Sequence, residues 1–292
     1  MFEVQVPAST TNLGSGFDVA GMAVNLYNVF QFEEAEETSY FGFLPIFSND
    51  KNLVYYAYKY VFDKCQKEVI PVKISLVRNE IPLSRGLGSS SSCIIAGVVA
   101  ANKMLGEPYT LEECLAICNA IEGHPDNVSA SLFGGLTTSF VHDGEVYVSK
   151  VRPHNNLRFV CLIPDYQVST KEARKVLKQS YSKSEIVFSM SRAVHLKDAF
   201  MSGNLEFISK VMEDKIHVPY RKFLIPGYES IQARCKEFGF PLTISGSGST
   251  LFCVMTKQDD LDSLYSLHEL DGWRIAHVEV DLQGTRINEV IK

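Results

Sequence analysis

Phe2, Val4 and Val6 alternate with polar residues, the period of a strand with one buried face. A polar, glycine-containing segment follows from Pro7 to Gly21, and Leu26 to Phe32 then reads as a second strand. Over residues 50–66, Leu53, Val54, Ala57, Tyr60 and Val61 fall at helical spacing, and Pro71 to Val77 alternates again. Pro82 to Ser92 is a Gly- and Ser-rich loop feeding the apolar stretch Cys93 to Leu105, most simply a buried helix. Thr110 with Glu113 three residues on is a capping box for a helix reaching about Ile121. A loop from Glu122 to Asn127 precedes apolar, β-prone residues that run to Val151. Leu157 to Ile163 is a strand closed by Pro164. Beyond it the pattern is helical near 169–180, 184–201, 204–215 and 226–238, with strands near 250–256 and 273–281.

Strands and helices alternate irregularly, without a series of βαβ units, so the pattern predicts an α+β architecture rather than a doubly wound parallel sheet. At roughly 150 residues per domain, 292 residues suggest two domains. The composition changes near residues 151–165, which divides the chain into 1–155 and 156–292. No internal repeat or low-complexity linker interrupts it.

Composition adds mainly exclusions. With 46% hydrophobic and 21% charged residues the chain is globular, and it is long enough to fold without covalent staples. Thirty-four acidic against 28 basic residues give a net charge of -6, with no Lys/Arg block to follow a nucleic-acid backbone. A polyanion such as ATP would instead be held by backbone N–H groups, a metal ion and a few placed cations. The seven cysteines are scattered and form no C-x-x-C pair. Cys114 and Cys118 lie four apart on a predicted helix but have no His or Cys partner at zinc-ligand spacing, so free thiols in a reducing compartment are expected. The N-terminus has no basic segment followed by an apolar run, and the longest apolar stretch, Cys93 to Ala101, is about half of a membrane span. A cytoplasmic protein without a membrane partner is the expectation.

The chemistry concentrates in Pro82-Leu83-Ser84-Arg85-Gly86-Leu87-Gly88-Ser89-Ser90-Ser91-Ser92. Gly86 and Gly88 allow a tight turn and close approach to a ligand. The helix that follows at once presents unpartnered N–H groups and the positive end of its dipole, a site for phosphate oxygens. Neither G-x-x-x-x-G-K-[ST] nor G-x-G-x-x-G occurs, so the common nucleotide folds lose support. By itself the loop could be a serine-capped helix entry. Two further loops, Pro7 to Asp18 (PASTTNLGSGFD) and Ile244 to Thr250 (ISGSGST), follow and precede strands in the same manner, which suggests that all three meet around one ligand.

These three loops, in this order, resemble the signature motifs of the GHMP kinase superfamily, and the resemblance covers nearly the whole chain. It implies an N-terminal domain like ribosomal protein S5 and a ferredoxin-like C-terminal domain. Within the superfamily the homoserine kinases are the best match: the first loop with Val19-Ala20-Gly21-Met22-Ala23, the run Glu122-Gly123-His124-Pro125-Asp126-Asn127-Val128, and Pro219-Tyr220-Arg221 with Leu224-Ile225-Pro226-Gly227 are similar to that family's motifs. The implied reaction is ATP-dependent phosphorylation of the L-homoserine hydroxyl, a step of threonine biosynthesis.

Homoserine is a zwitterion, and its carboxylate calls for guanidinium groups, which grip with two hydrogen bonds each. The family pattern places these on Arg174, beside Thr170, and on Arg221. Asp18, with Asn12 nearby, would accept from the ammonium; Gly246 of the third loop completes the substrate set. His124, Asp126 and Asn127 would lie close to the reacting hydroxyl, with Asp126 the candidate if a general base exists. Magnesium, which binds phosphates with only one or two protein groups, would take Glu122 and a hydroxyl of Ser89 or Ser90. A homodimer is left open. Ser15 and Ser249 stand where this family commonly has Pro, and Ser91 and Ser92 where it has alanines; the expectation is altered loop stiffness rather than lost activity.

Two kinase-fold rivals and one hydrolase rival are weighed. A mevalonate-type kinase would have no use for an ammonium contact at Asp18, and a catalytically dead relative would not need Glu122, Ser89 and every loop glycine intact. A serine hydrolase lacks support because no G-x-S-x-G is present, and Ser48-Asn49-Asp50-Lys51 is a loose match to S-x-x-K.

Overall fold

The computed structural model describes residues 1–256, 259 and 261–290. The first sheet holds β1 (Phe2–Asn12), β2 (Gly16–Glu34), β3 (Ser39–Phe41), β4 (Val72–Asn79), β5 (Leu136–His142), β6 (Glu145–Val151) and β11 (Arg286–Glu289). Its path is β11-β1-β2-β4-β3, with β5 and β6 branching from the first part of β2. Against one face pack α1 (Leu53–Lys64), α2 (Ser89–Met104) and α3 (Leu111–Glu122), which share a core with Val4, Val6, Phe30, Phe32 and Ile74. The capping box at Thr110 and Glu113 is present, and Gly123 ends α3 in the left-handed region.

The second sheet holds β7 (Leu157–Ile163), β8 (Leu242–Ile244), β9 (Leu251–Thr256) and β10 (Arg274–Val278), in the order β10-β7-β9-β8 and antiparallel throughout. Taken in chain order this is fourth-first-third-second, the ferredoxin-like arrangement. Between β7 and β8 the chain runs through α5 (Thr170–Lys175), α6 (Lys183–Ser202), α7 (Leu205–Val211), α8 (Val218–Arg221) and α9 (Tyr228–Glu237); α10 (Asp262–Tyr265) lies between β9 and β10.

β7 shows why its sequence is apolar almost throughout. Phe159, Cys161 and Ile163 face a core shared with Ala8, Leu13, Met22 and Leu87 of the first half, whereas Val160 and Leu162 face a third cluster with Tyr228, Ile231 and Leu264. A strand buried on both faces has no polar side. The two halves thus share apolar packing beneath the first and middle loops. The last strand reinforces this: β11 returns to pair with β1, Val4 opposite Ile287.

Four elements differ from the sequence reading. Pro7 to Gly21 is not an open loop but the end of β1, a turn at residues 13–15 and the start of β2. Its polar residues Ser9, Thr10, Thr11 and Asn12 are buried, so alternation of hydrophobicity could not reveal the strand. The buried helix begins at Ser89, four residues before its apolar run, because its first turn is serine. Residues 125–133 form a helix, α4 (Pro125–Phe133), opened by a Pro at its first position, where a missing N–H does no harm. The stretch read as a helix near 169–180 holds only α5.

Candidate active site

The three loops converge. Gly86, at φ +72°, sits so close to the third loop that an added Cβ would lie 2.1 Å from the Ser245 carbonyl oxygen. Ser245 Oγ donates to the Gly86 carbonyl at 2.6 Å and lies 2.9 Å from Thr10 Oγ1. Asn12 Nδ2 donates to the Gly246 carbonyl at 2.8 Å, and the Gly246 N–H to that of Thr11 at 3.1 Å. Gly88, at φ +75°, is the N-cap of α2, and a Cβ there would meet Ser9 Oγ at 2.4 Å and Asn127 Oδ1 at 3.1 Å. Ser9 Oγ in turn donates to Asn127 Oδ1 at 2.9 Å. Residues distant in sequence are thereby fixed around the N-terminus of α2.

That helix end opens on a cavity of about 400 Å³. Of the residues predicted from sequence, Asn12, Asp18, Leu83, Ser84, Arg85, Gly86, Gly88, Ser89, Ser90, Ser91, Glu122, His124, Asp126, Asn127, Thr170, Arg174, Arg221 and Gly246 line it. Pro82, Leu87 and Ser92 do not: Leu87 is a core residue, and Ser92 Oγ is turned inward to donate to the Ser89 carbonyl and accept from Asn28 Nδ2. Arg85 lines the wall with its guanidinium committed to the carbonyls of Leu83, Pro164 and Asp165, so it braces the loop against the chain leaving β7.

Charged side chains line the same cavity. Arg174 and Asp18 form a two-pronged ion pair at 2.9 and 3.0 Å. Burial disfavours the Arg174 charge, but the Asp18 hydrogen bonds and the charges of Asp18, Asp126 and Glu122 outweigh it and raise its pKa. Arg221 is 2% exposed, donating Nε to the Ala173 carbonyl at 3.1 Å and Nη1 to that of Gly246 at 2.8 Å. Burial and the neighbouring Arg174 bring its pKa down to about 10, against the pull of Asp18, Asp126 and Asp214, so it stays charged at neutral pH. Both guanidinium groups lie over the Phe17 ring, at 5.1 Å for Arg221 and 5.8 Å for Arg174.

His124 Nδ1 lies 2.8 Å from Asp126 Oδ1, which also accepts the Asn127 N–H at 2.9 Å. Burial lowers the His124 pKa, but the hydrogen bond and charge of Asp126, with Glu122 and Asp18 behind, raise it on balance. Glu122 accepts from Ser91 Oγ at 2.6 Å and Ser90 Oγ at 3.2 Å, at the mouth of the helix N-terminus. Among the described residues no group of three or more His, Cys, Asp or Glu could cage a metal by itself.

The sequence reading missed the other end of the cavity. Phe30, Phe43, Leu44, Phe47, Leu53 and Leu76 form an apolar wall, with Asn28, Asn52 and Asn79 beside it; the Asn28 amide is committed to Ser92 and Ile81, and the Asn52 amide to Phe47 and the first turn of α1. A flat apolar surface of this kind suits a heteroaromatic base. Scattered over β2, β4 and residues 42–53, these residues carry no motif that could have announced them.

Residues 52–135 match the family described as GHMP kinases N terminal domain, and residues 196–266 match GHMP kinases C terminal. The homoserine kinase of Clostridium beijerinckii is 38% identical over 100% of both chains. The chain belongs to the homoserine kinases, within the GHMP kinases. The homoserine kinase of Clostridium acetobutylicum is 40% identical, over 98% of this chain and 100% of that one. The crystal structure of homoserine kinase from Cytophaga hutchinsonii superposes with a TM-score of 0.85, at 26% identity over 98% of this chain and 96% of that one. A mevalonate kinase structure shares the fold at a TM-score of 0.71 and 18% identity. The S5-like and ferredoxin-like halves implied by the motifs fit this family, and a GHMP kinase uses ATP as a substrate. No described helix is long and apolar enough to cross a membrane.

Proposed function

We propose that this homoserine kinase family member transfers the γ-phosphoryl group of ATP to the hydroxyl of L-homoserine, giving O-phospho-L-homoserine and ADP in threonine biosynthesis. The observation that carries this reading is one cavity with a phosphate-binding helix end beside an Asp18–Arg174–Arg221 cluster. A zwitterionic amino acid can exchange its own charges for those of the Asp18–Arg174 pair, its ammonium taking Asp18 and its carboxylate the guanidinium groups. Mevalonate, with a carboxylate alone, would leave Asp18 without a cation.

In this reading the N–H groups opening α2 hold phosphate oxygens, and the apolar wall takes the adenine. Glu122 with a hydroxyl from the Ser89–Ser91 run fits the sparse oxygen donor set magnesium needs beside a triphosphate. When bound, that ion supplies charge neutralisation on the phosphates. Asn12, Thr170 and Gly246 complete the homoserine pocket, and Arg174 and Arg221 fix the carboxylate so that the hydroxyl points in line with the γ-phosphorus. His124 and Asn127 hold Asp126 at the reacting end. Held in this way, Asp126 orients the hydroxyl and catalysis rests on positioning. We also place the division between the two functional halves at residues 155/156, with β11 returned to the first sheet.

The test is ADP release from Mg-ATP with L-homoserine, beside parallel reactions with mevalonate, L-serine and no acceptor. Turnover confined to homoserine is expected. Turnover with mevalonate and none with homoserine would overturn the substrate assignment, and ATP binding without turnover on any acceptor would overturn the activity.

A further inference from the structure

Arg221 owes its position to a second junction, outside the cavity wall. The turn at residues 13–15, which carries Asn12 on one side and Asp18 on the other, is pressed into the connector from Met212 to His217. Gly14, at φ +80°, leaves no room for a side chain: a Cβ would lie 2.3 Å from the Met212 carbonyl oxygen. Ser15 Oγ donates to the Glu213 carbonyl at 2.6 Å. His217, fully buried, meets the Gly14 carbonyl through Nε2 at 2.9 Å, and a carbonyl can only accept, so that nitrogen carries the proton. Nδ1 is left buried with no hydrogen-bond partner among the described residues.

The connector is stiff. Asp214 accepts the N–H groups of Ile216, His217 and Val218 at 2.9, 2.7 and 2.8 Å. One turn later the Arg221 N–H returns to the His217 carbonyl at 2.9 Å. The His217 ring stacks on Phe17 at 5.6 Å, and the other partners of Phe17 are the guanidinium groups of Arg221 and Arg174. His217 therefore touches both the turn and the ring on which the two arginines rest, without lining the cavity. Burial and Arg221 hold the imidazole below its usual pKa, against Asp214 and Asp18, consistent with a neutral ring donating one proton.

We infer that His217 is a positioning residue for substrate binding: with Ser15 it latches the 13–15 turn to the α7–α8 connector, setting Arg221 and Asp18 at the separation an amino-acid zwitterion requires. Ser15 has its own part, because its hydroxyl bond to Glu213 is one that a proline at this position could not make. The latch acts on the amino-acid side alone, since the helix end that holds phosphate is anchored separately through Ser9, Ser245 and Asn127.

The inference rests on the homoserine reading, and two readouts keep them apart. His217→Phe keeps a buried ring against Phe17 but removes the donor to Gly14; His217→Gln restores an N–H. Expected for His217→Phe is a KM for homoserine raised about tenfold, with kcat and the KM for ATP within about twofold. His217→Gln should recover most of the loss. Amide hydrogen exchange, which needs no substrate, should show lost protection at residues 13–18 and 213–221 with α2 unchanged. Equal rises in both KM values with exchange also faster in α2 would overturn the latch in favour of general destabilisation, and unchanged kinetics with unchanged exchange would overturn it outright. Absence of wild-type turnover on homoserine would instead overturn the substrate reading, while the exchange pattern would still decide the latch.

Discussion

The contact between the middle and third loops can be tested by a single methyl group. In Gly86→Ala the new Cβ would lie 2.1 Å from the Ser245 carbonyl oxygen and 2.9 Å from both N and O of Gly248, all backbone atoms that no rotamer can move. Gly86 also sits at φ +72°, where an L-residue costs about 1–2 kcal/mol. Gly106 supplies the control, because it has φ +80° and nothing within 4 Å of its Cβ position. Gly106→Ala should therefore lose only the backbone term. Gly86→Ala adds about 1–3 kcal/mol of overpacking and the Ser245 hydrogen bond, about 0.5–1.5 kcal/mol. The expected excess over Gly106→Ala is about 1.5–4.5 kcal/mol. Relief to ordinary contact near 3.4 Å means moving one loop by roughly 1 Å, and a displacement of that size can lower kcat/KM about 100-fold. Urea denaturation of both variants gives the stability difference, and initial rates against ATP concentration give the kinetic one. If Gly86→Ala matches Gly106→Ala in both, the third loop does not rest on the phosphate loop, and the converging-loop account of the site is wrong.

Two further outcomes follow from the acidic end of the cavity. Asp126→Asn should keep most of kcat while raising the KM for homoserine about 10- to 100-fold, the loss of one charge-assisted hydrogen bond; a fall in kcat beyond 100-fold at saturating substrate would instead make Asp126 the proton acceptor. His124 has a folded-state pKa above its usual value of 6.5. Its protonated form thus stabilises the fold fully below about pH 6.5, and that contribution disappears as pH rises through the raised pKa. Thermal melts across pH 5–9 should show His124→Asn trailing the wild type most at the acidic end and converging with it at the alkaline end; a gap that widens with pH would reverse the assigned sign.

Motifs and cavity correspond closely wherever chemistry dictates residue type. A helix N-terminus open to a cavity needs glycines before it and small residues in its first turn, and Gly86, Gly88 and Ser89–Ser91 declare this locally. Arg174, Arg221, Asp18 and the His124–Asn127 run came from the family resemblance, and the structure brings them to one cavity. The apolar wall of Phe30, Phe43, Phe47 and Leu76 was not legible, because any apolar residues of suitable size can face a flat base and their sequence looks like core. His217 was equally silent, since a lone histidine gains its meaning only from the carbonyl across from it.

The period-2 and period-3.6 segments, the capping box at Thr110 and the α+β class are written in local patterns of the chain, since each depends on groups within a few positions of one another. Long-range packing, by contrast, sets Ser9 to Asn12 as a buried strand, returns β11 to the first sheet, joins Asp18 to Arg174 and brings the turn at residues 13–15 against His217. Apart from the ladder that joins the buried strand to its neighbour β2, these are pairings across more than a hundred residues, whose partners are selected by complementary shape and hydrogen bonding rather than by local propensity. The polar strand shows the difference most plainly: Thr10 and Asn12 belong inside only because Ser245 and Gly246, more than two hundred residues away, arrive to satisfy them.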